Sequence, residues 1–481
     1  MEAKKRALLG IEQEGLSWDE AREGIRELLL ELGVADFYKQ QGTMPKQQRL
    51  TPEIPAALPQ TASRQAAELL GEVIDGRHAD LLAEVLDLFK TTHTALPGYL
   101  LPPLLDKASK VYALRPQVLE ALDERGHWLA AQHKDWCYAE RKQLSQERFA
   151  EDWRSNSSSL RQGIFYQARM QDPKLALSLM QTTWKAETPA AVNWIIRLMA
   201  TNLSMTDEAF LELALDDRNL TVRRKASELL SCLPGSRLLA RMTEVAETCL
   251  EFDGAELQFE LPEIRPELVR DGFLVRAWKD EAKLTQAYLA DLVSAVPLDY
   301  WPERWDLSVK AFLDIVAGSQ WREGMLKGLA TAAERQKNAI WAKELIRIDT
   351  VSVSTLKLLG GLDEATFLEL VQGFALAPEA QDHAFSKAFS RWHKPWSDGL
   401  TKLWLEHLPS TVKSLSAETR HLFMLRSSFK SMAKLVPITA FDDIAPMLKD
   451  YKTLEPLSMA VFEASSLLGF RKRMYQAFDL A

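Results

Sequence analysis

The residue types that catalyse reactions or bind metals occur in this sequence, but their spacing forms no known site. The three cysteines, Cys137, Cys232 and Cys249, fit neither a zinc motif nor a disulfide framework. His127 and His133 are six residues apart, whereas two ligands on one face of a helix need a spacing of three or four. We therefore expect no metal site, no cofactor-binding residue and no cofactor.

Motifs for nucleophiles and for phosphate binding are missing from the sequence as well. It contains no G-x-S-x-G, no H-E-x-x-H, no P-loop and no G-x-G-x-x-G. Paired carboxylates such as Asp216 and Asp217 occur, but nothing around them in the sequence separates a general acid from a general base. We predict no catalytic residue and a protein that is not an enzyme.

A basic cluster formed by Arg223, Arg224 and Lys225 is the first of two candidate partner-binding sites. On the inner face of a curved protein, the cluster could hold a phosphate or an acidic partner. The alternative is structural: Arg223 bonds to Asp217, and the other two side chains are solvated, as runs of charge usually are.

The second candidate site is an aromatic segment that contains Trp392, Trp396 and Trp404. Tryptophan is favoured at the centre of protein interfaces, so the segment could form a binding hot spot. The alternative is that these tryptophans fill the space between two helices, which is the commoner role of large aromatic side chains.

The elements that must position these clusters are predicted to be helices. Residues 173–233 overlay on themselves when the chain is shifted by 30 residues, so that Leu175 falls on Met205 and Val192 on Val222. Each copy is a helix, a short polar turn and a second helix. Such a pair cannot bury its apolar face alone and must stack on its neighbours. The pattern therefore predicts an all-α fold, an α-solenoid of antiparallel helix pairs.

The second copy resembles a HEAT repeat. Residues 216–226 have the sequence DDRNLTVRRKA, with an aspartate in the turn and Val-Arg at the start of the second helix. In that family the turn aspartate and the arginine usually bond to each other and to the next repeat, and the matching residues here are Asp217 and Arg223. The resemblance implies a stack of HEAT-like helix pairs.

A further resemblance covers more of the chain. The sequences RGHWLAAQ at 125–132, DW at 135–136, LPE at 261–263 and DG at 271–272 are similar to the signature of a bacterial helical-repeat family. Members of that family tend to be encoded beside MoxR-type AAA+ ATPases, von Willebrand A-domain proteins and SWIM zinc-finger proteins. The resemblance implies an adaptor that serves such an ATPase.

Changes of pattern divide the chain into predicted parts. Alternating apolar and polar residues predict a short strand-like excursion near 255–264, and repeated prolines indicate a linker before the first long helical stretch. The parts are an N-terminal helical segment at 1–38, a proline-rich linker or surface loop at 39–63, an N-terminal helical domain at 64–150, HEAT-like repeats at 151–250, an extended excursion at 251–268 and a C-terminal helical repeat block at 269–481.

Composition narrows the function classes. Apolar residues form 47% of the chain, which excludes a disordered protein, and the net charge of −8 argues against a dedicated nucleic-acid binder. No window approaches the ~18 apolar residues of a membrane span, and the first apolar run is too short for a signal peptide. With an odd, sparse set of cysteines, these features predict a cytoplasmic protein.

The hypothesis that fits these features is a monomeric, non-enzymatic interaction scaffold, because a solenoid offers a long curved surface to a partner protein. A third possibility is a cargo-binding or chaperone-like protein. Only identification of the partner would distinguish it from an interaction scaffold. The alternative from another class is a HEAT-like nucleic-acid enzyme such as an alkylpurine DNA glycosylase. Trp184, Trp194 and Arg197 supply its residue types, but the charge balance is against it.

Overall fold

Helices dominate the described part of the chain. The computed structural model describes residues 55, 60–139, 146–155, 158–349, 352–375, 382–415, 419–455 and 457–480. Residues 56–481 belong to one compact unit. The predicted N-terminal segment at 1–38 and most of the predicted linker at 39–63 lie outside the described residues.

The first helices form an N-terminal block, residues 60–139. Two parallel strands of two residues each, β1 (Gln60–Thr61) and β2 (Thr94–Ala95), pair within the block. Side chains fix helix starts, as where Ser63 accepts a hydrogen bond from the N–H of Ala66. The helices are α1 (Arg64–Ile74), α2 (Leu82–Thr91), α3 (Leu101–Lys110), α4 (Arg115–Ala121) and α5 (Glu124–Ala130).

The self-similar stretch folds as two successive helix pairs, as its repeat predicts. Side-chain caps start the second helix of each pair: Thr188 accepts from the N–H of Ala191, and Asn219 accepts from the N–H of Thr221. The pairs are α8 with α9 and α10 with α11. The helices of this region are α6 (Gln146–Ser155), α7 (Ser158–Gln171), α8 (Pro173–Thr183), α9 (Pro189–Leu198), α10 (Glu208–Ala214), α11 (Leu220–Leu230) and α12 (Arg237–Cys249).

An antiparallel hairpin interrupts the helices, which confirms the predicted strand-like excursion. Its strands are β3 (Leu250–Phe252) and β4 (Leu257–Phe259), with Leu250 opposite Phe259. The alternation in the sequence predicts β4. It does not predict β3, because β3 follows α12 directly, without a turn between them. Phe259 packs edge-on against Trp321 with ring centres 5.6 Å apart, so the hairpin is anchored to the helices that follow it.

Helices continue from the hairpin to the end of the described chain. None of the described helices has the length and apolarity that a membrane crossing requires. They are α13 (Pro266–Arg270), α14 (Glu281–Val293), α15 (Tyr300–Arg304), α16 (Val309–Gly318), α17 (Arg322–Gln336), α18 (Ala339–Ile348), α19 (Val353–Leu356), α20 (Glu364–Ala375), α21 (Asp382–Arg391), α22 (Asp398–Leu415), α23 (Thr419–Leu435), α24 (Phe441–Asp450) and α25 (Ser458–Gln476).

One layer of helices runs through the whole stack. In this layer α7 packs on α9, α9 on α11, α11 on α12 and α12 on α14. The series continues through α17, α19, α21 and α23 to α25. The stacking buries one continuous core from Phe149 to Leu468. Such nearest-neighbour packing is that of a solenoid, and the predicted all-α, HEAT-like fold is confirmed.

The last helix of this layer contacts the N-terminal block through an ion pair whose arginine is buried and whose glutamate is partly exposed. Arg471 of α25 is 4% exposed and donates to both carboxylate oxygens of Glu84 on α2, at 2.7 and 3.1 Å. The same guanidinium donates to the carbonyls of Ala433 and Val436 at the end of α23. The Tyr475 hydroxyl also donates to Glu84, at 2.9 Å. One carboxylate thus ties α2 to α25 and, through Arg471, to α23.

The N-terminal block also packs against α7, so the contacts form a closed circuit. Arg115 of the block is 3% exposed, and its guanidinium lies over the ring of Tyr138. A Cβ at Gly163 of α7 would lie 2.2 Å from this guanidinium, so glycine at this position leaves room for the arginine to approach α7. Phe470 and Met474 of α25 belong to the core of the block. Both ends of the helical layer are therefore covered by the same block.

Replacing Glu84 by alanine tests this closure. The variant leaves Arg471 buried without its carboxylate, which is expected to cost about 3 kcal/mol of unfolding free energy. The control is Glu68→Ala, because Glu68 pairs with Arg64 on the surface, with side-chain exposures of 58% and 93%, and should cost less than about 1 kcal/mol. Urea denaturation measures both, and equal losses would show that the closure adds no stability.

Tyr475 makes the stability of the closure depend on pH. Its burial and the neighbouring Glu84 carboxylate raise the pKa of Tyr475 to about 12, whereas an unfolded tyrosine ionises near about 10. A raised pKa means that the stabilisation is complete below the unfolded value and is lost as the pH rises through the folded one. The unfolding free energy should therefore fall more steeply between about pH 10 and 12 in the wild type than in Tyr475→Phe. Parallel slopes would contradict this assignment.

Candidate protein-binding groove

A groove of about 900 Å³ opens beside the turns that join the two helices of each HEAT-like repeat. It lies between the end of α8, the start of α9, helix α10 and the turn before α11. We call it the repeat groove. The residues that line it are Gln181, Trp184, Lys185, Glu187, Pro189, Val192, Phe210, Leu213, Asp216, Asp217, Arg218 and Asn219.

The floor of the repeat groove is apolar. Phe210 is 2% exposed and Val192 is 7% exposed. Trp184 is half-buried and stands edge-on to Phe210, with ring centres 4.9 Å apart. It occupies this position because α8 ends at the residue before it and a short 3₁₀ turn leads on to α9. Part of the tryptophan therefore packs on the floor, and part lines the groove.

Leu213, which also lines the groove, departs from the amphipathic pattern of α10. The helix buries Phe210, Leu211 and Ala214, which form its core-facing stripe. Leu213 lies off that stripe and is 68% exposed. A leucine that the structure leaves exposed, off the buried stripe, indicates a contact surface. It is absent from the predicted site residues because a repeat pattern alone does not distinguish a core leucine from an exposed one.

The carboxylates of the groove are bonded within the protein. Glu187 accepts hydrogen bonds from Trp153 Nε1 at 3.1 Å and from Arg161 at 2.5 Å. Asp216 pairs with Arg270 at 2.6 Å, and the hydrogen bond from this guanidinium lowers the pKa of Asp216. Their negative charges are therefore largely offset by cations of the same chain.

Two cations on the rim have no such partner. Lys185 and Arg218 are exposed, and neither side chain bonds to another described residue. The Asp217 carboxylate accepts a hydrogen bond from the backbone N–H of Asn219 at 2.8 Å. The groove thus combines an apolar floor with unpaired positive charges, which suits a segment that carries an apolar side chain next to acidic ones.

A second buried ion pair fixes the helices that form the groove. Arg169 of α7 and Asp207, which precedes α10, have fully buried side chains, and the guanidinium donates to both carboxylate oxygens at 2.7 and 2.9 Å. Arg169 also donates to the carbonyls of Met199, Thr201 and Asn202 after α9. The ends of three helices are thereby held at one point.

The expected side-chain bond between Asp217 and Arg223 does not form. Arg223 donates instead to the backbone carbonyl of Asp217 at 2.9 Å, because the Asp217 carboxylate folds back onto the N–H of Asn219. The HEAT-like turn is therefore closed by main-chain acceptors, and Arg223 is a structural residue.

The other two members of the predicted basic cluster, Arg224 and Lys225, have different surroundings. Lys225 pairs with Glu228 at 2.8 Å on the same helix. Arg224 is exposed and lines a second, smaller cavity. The three basic residues therefore do not form one binding patch, and Arg224 alone faces a cavity with an unpaired charge.

The predicted aromatic site lies in the core. Trp392, Trp396 and Trp404 are 1%, 3% and 0% exposed. Trp392 packs on Phe367 with ring centres 4.3 Å apart, and Trp404 meets Phe429 edge-on at 5.4 Å. These tryptophans have no surface to offer a partner. The hypothesis of a binding hot spot is therefore wrong, because four helices, α20 to α23, surround the rings.

The residues of the nucleic-acid alternative do not come together. Trp184 packs on Phe210 in the repeat groove, whereas Trp194 packs on Trp153 with ring centres 5.7 Å apart. Arg197 is exposed on α9 and does not line the groove. Within the described residues, no group of three or more His, Cys, Asp or Glu side chains is placed to hold a metal ion.

The motif at 271–272 is a structural junction. Asp271 is 6% exposed and accepts hydrogen bonds from Arg241 at 2.6 Å and from Arg270 at 2.9 Å. Gly272 has a φ of 102°, and a Cβ there would lie 2.3 Å from Ser227 Oγ. Only glycine fits this position. The motif therefore fixes the segment after α13 against α11 and α12.

The match to one protein family spans the groove, the hairpin and this junction. A family model covers residues 2–478 of the 481-residue chain. The chain belongs to the DUF5691 family. That family is described as one of unknown function. No curated protein sequence matches the DUF5691 chain.

Solved structures of a karyopherin are similar to the DUF5691 chain in their helical fold. Kap121p bound to Nup53p and Kap121p bound to the extreme C-terminus of the protein phosphatase Cdc14p each share 12% sequence identity with it, at a TM-score of 0.30. Each match covers 86% of this chain and 50% of the karyopherin chain. The DUF5691 chain thus spans about half the length of these proteins, and the likeness concerns the fold alone.

Asp207→Asn tests the buried ion pair of Arg169 and Asp207. The variant leaves Arg169 fully buried without a counter-charge, so the unfolding free energy should fall by about 3–5 kcal/mol. Asp172→Asn is the matched control, because Asp172 caps α8 at the surface and asparagine caps a helix about as well. Denaturation in urea measures both variants. An Asp207→Asn protein as stable as the control would refute this role of the pair.

Proposed function

We propose that this chain is a non-enzymatic protein-interaction scaffold whose repeat groove binds a segment of a partner protein. The observation that carries the proposal is the groove of about 900 Å³, with Leu213 68% exposed on its wall. A concave, mainly apolar site of this volume takes several side chains of a bound segment.

The chemistry of the groove specifies the segment. Trp184 supplies the residue type that most often dominates binding energy at interfaces, and it stands beside the apolar floor. Lys185 and Arg218 on the rim are unpaired, so acidic side chains of a partner would gain ion pairs there. The proposed ligand is therefore a segment with an apolar residue flanked by aspartate or glutamate.

The groove is suited to binding because its walls are already fixed. The buried pair of Arg169 and Asp207 holds two of the helices that line it, at the end of α9 and the start of α10. A site that needs little ordering when the ligand arrives loses less free energy on binding than a flexible one. The proposal therefore requires no large rearrangement of the repeats.

As the partner we propose a MoxR-type AAA+ ATPase or a von Willebrand A-domain protein of the same cell. This part of the proposal rests on the resemblance at 125–132, 135–136, 261–263 and 271–272. We also propose that the scaffold acts as a monomer in the cytoplasm, where the free Cys232 and Cys249 would stay reduced.

Selected peptides test the groove. Random peptides displayed on phage and selected on the full chain should be enriched in an apolar residue beside aspartate or glutamate. Leu213→Ser removes apolar surface from the groove and should lower the affinity for the selected peptides at least about tenfold. Ile340→Ser is the control, because Ile340 is 70% exposed on α18, away from the groove. Undiminished binding by Leu213→Ser, or no enrichment of acidic residues, would contradict the proposal.

Affinity capture from the cells that produce the chain tests the partner. The ATPase or the A-domain protein should be recovered with the tagged wild type and depleted with Leu213→Ser, as quantified by mass spectrometry. Recovery of neither class of protein would refute this part of the proposal. A gel shift of duplex DNA at low salt would instead favour the nucleic-acid alternative.

A further inference from the structure

A second cavity, of about 220 Å³, lies between α11, α14, α17 and the segment that follows α13. Two arginines from different helices line it, Arg224 of α11 and Arg335 of α17. Apolar side chains, among them Met242, Phe273 and Leu274, form part of the remaining wall. We call this cavity the arginine cleft.

The acidic residues of the cleft are already paired with other cations. Glu228 pairs with Lys225 at 2.8 Å, and Asp291 pairs with Arg276 at 2.5 Å. Asp271 is the junction residue that accepts from two arginines outside the cleft. No carboxylate that lines the cleft therefore pairs with Arg224 or Arg335, and the excess charge of the cavity is positive.

The two arginines retain donors for a ligand. Arg224 is exposed and bonds to no other described residue. Arg335 uses one nitrogen, Nη1, to donate to the carbonyl and hydroxyl of Ser294 at 3.1 and 3.2 Å, and no described residue accepts from its Nε or Nη2. The hydroxyls of Ser227 and Ser294 donate to backbone carbonyls. The arginines are thus the groups of the cleft that can recognise an anion.

We propose that the arginine cleft binds a carboxylate attached to a short apolar group. A guanidinium presents a planar pair of donors that matches the two oxygens of a carboxylate. The apolar wall adds a surface that a hydrocarbon group covers and that inorganic phosphate would leave bare. Such a carboxylate can belong to the C-terminal residue of a protein or to a small organic acid. The inference does not depend on the proposed role of the repeat groove.

Isothermal titration calorimetry on the full chain tests the cleft with 4-methylpentanoate as the probe. The acid should bind, and 4-methylpentanamide, which has the same shape without the charge, should not. Arg224→Gln should lower the affinity for 4-methylpentanoate at least about tenfold. The substitution removes charge-assisted hydrogen bonds to the ligand and no contact within the protein. Lys327→Gln is the control, because it removes one exposed charge from the helix that carries Arg335, and it should leave the affinity unchanged.

Two further probes identify the source of the carboxylate. A tetrapeptide that ends in leucine with a free carboxylate is compared with its C-terminal amide and with 4-methylpentanoate. Tighter binding of the peptide acid supports a protein terminus, and tighter binding of the free acid supports a small metabolite. Either result upholds the carboxylate site.

Four results would overturn the proposal: no binding of either acid, equal binding of acid and amide, tighter binding of inorganic phosphate, or equal losses in Arg224→Gln and Lys327→Gln. Leu213→Ser should leave binding of the acid unchanged. A failure of the cleft is therefore distinguishable from a failure of the repeat groove.

Discussion

The ion pair between the buried Arg471 and the partly exposed Glu84 is the contact on which the closed arrangement of helices depends. A stack of helix pairs leaves an apolar face at each end, and each face must be covered. Here the N-terminal block covers both, with α25 on one side and α7 on the other. Burying Arg471 costs solvation, but its bonds to the carboxylate and to the carbonyls of Ala433 and Val436 offset that cost.

The pair of Arg169 and Asp207 applies the same principle inside the stack. A buried arginine that reaches a carboxylate and four carbonyls can be satisfied in only one arrangement of the helix ends. These ends lie away from the lining of the repeat groove, so the pair fixes the positions of α9 and α10 without being part of the groove. The groove and the arginine cleft share a further property. In both, most of the carboxylates are paired with cations of the same chain, while other cations remain unpaired.

Local patterns predict much of this fold and little of its surface. The register of Val192 on Val222 predicts two equivalent helix pairs, because the spacing of apolar residues reflects which side of a helix faces its neighbours. The same spacing does not show how many helices surround a residue, so it left open whether Trp404 lines a binding surface or the core, and Trp404 is fully buried. Leu213 presents the converse case, because it looks like a core leucine and is exposed.

The sequence by itself determined the all-α class, the repeated helix pairs and the strand-like interruption, because each follows from contacts between residues close along the chain. Only the tertiary structure decided which charges are paired and which face a cavity. Glu84 and Arg471 are 387 residues apart, and Arg224 and Arg335 meet at one cleft from separate helices. A local sequence pattern does not predict such contacts, because the packing of helices that are distant in the sequence decides which charges pair.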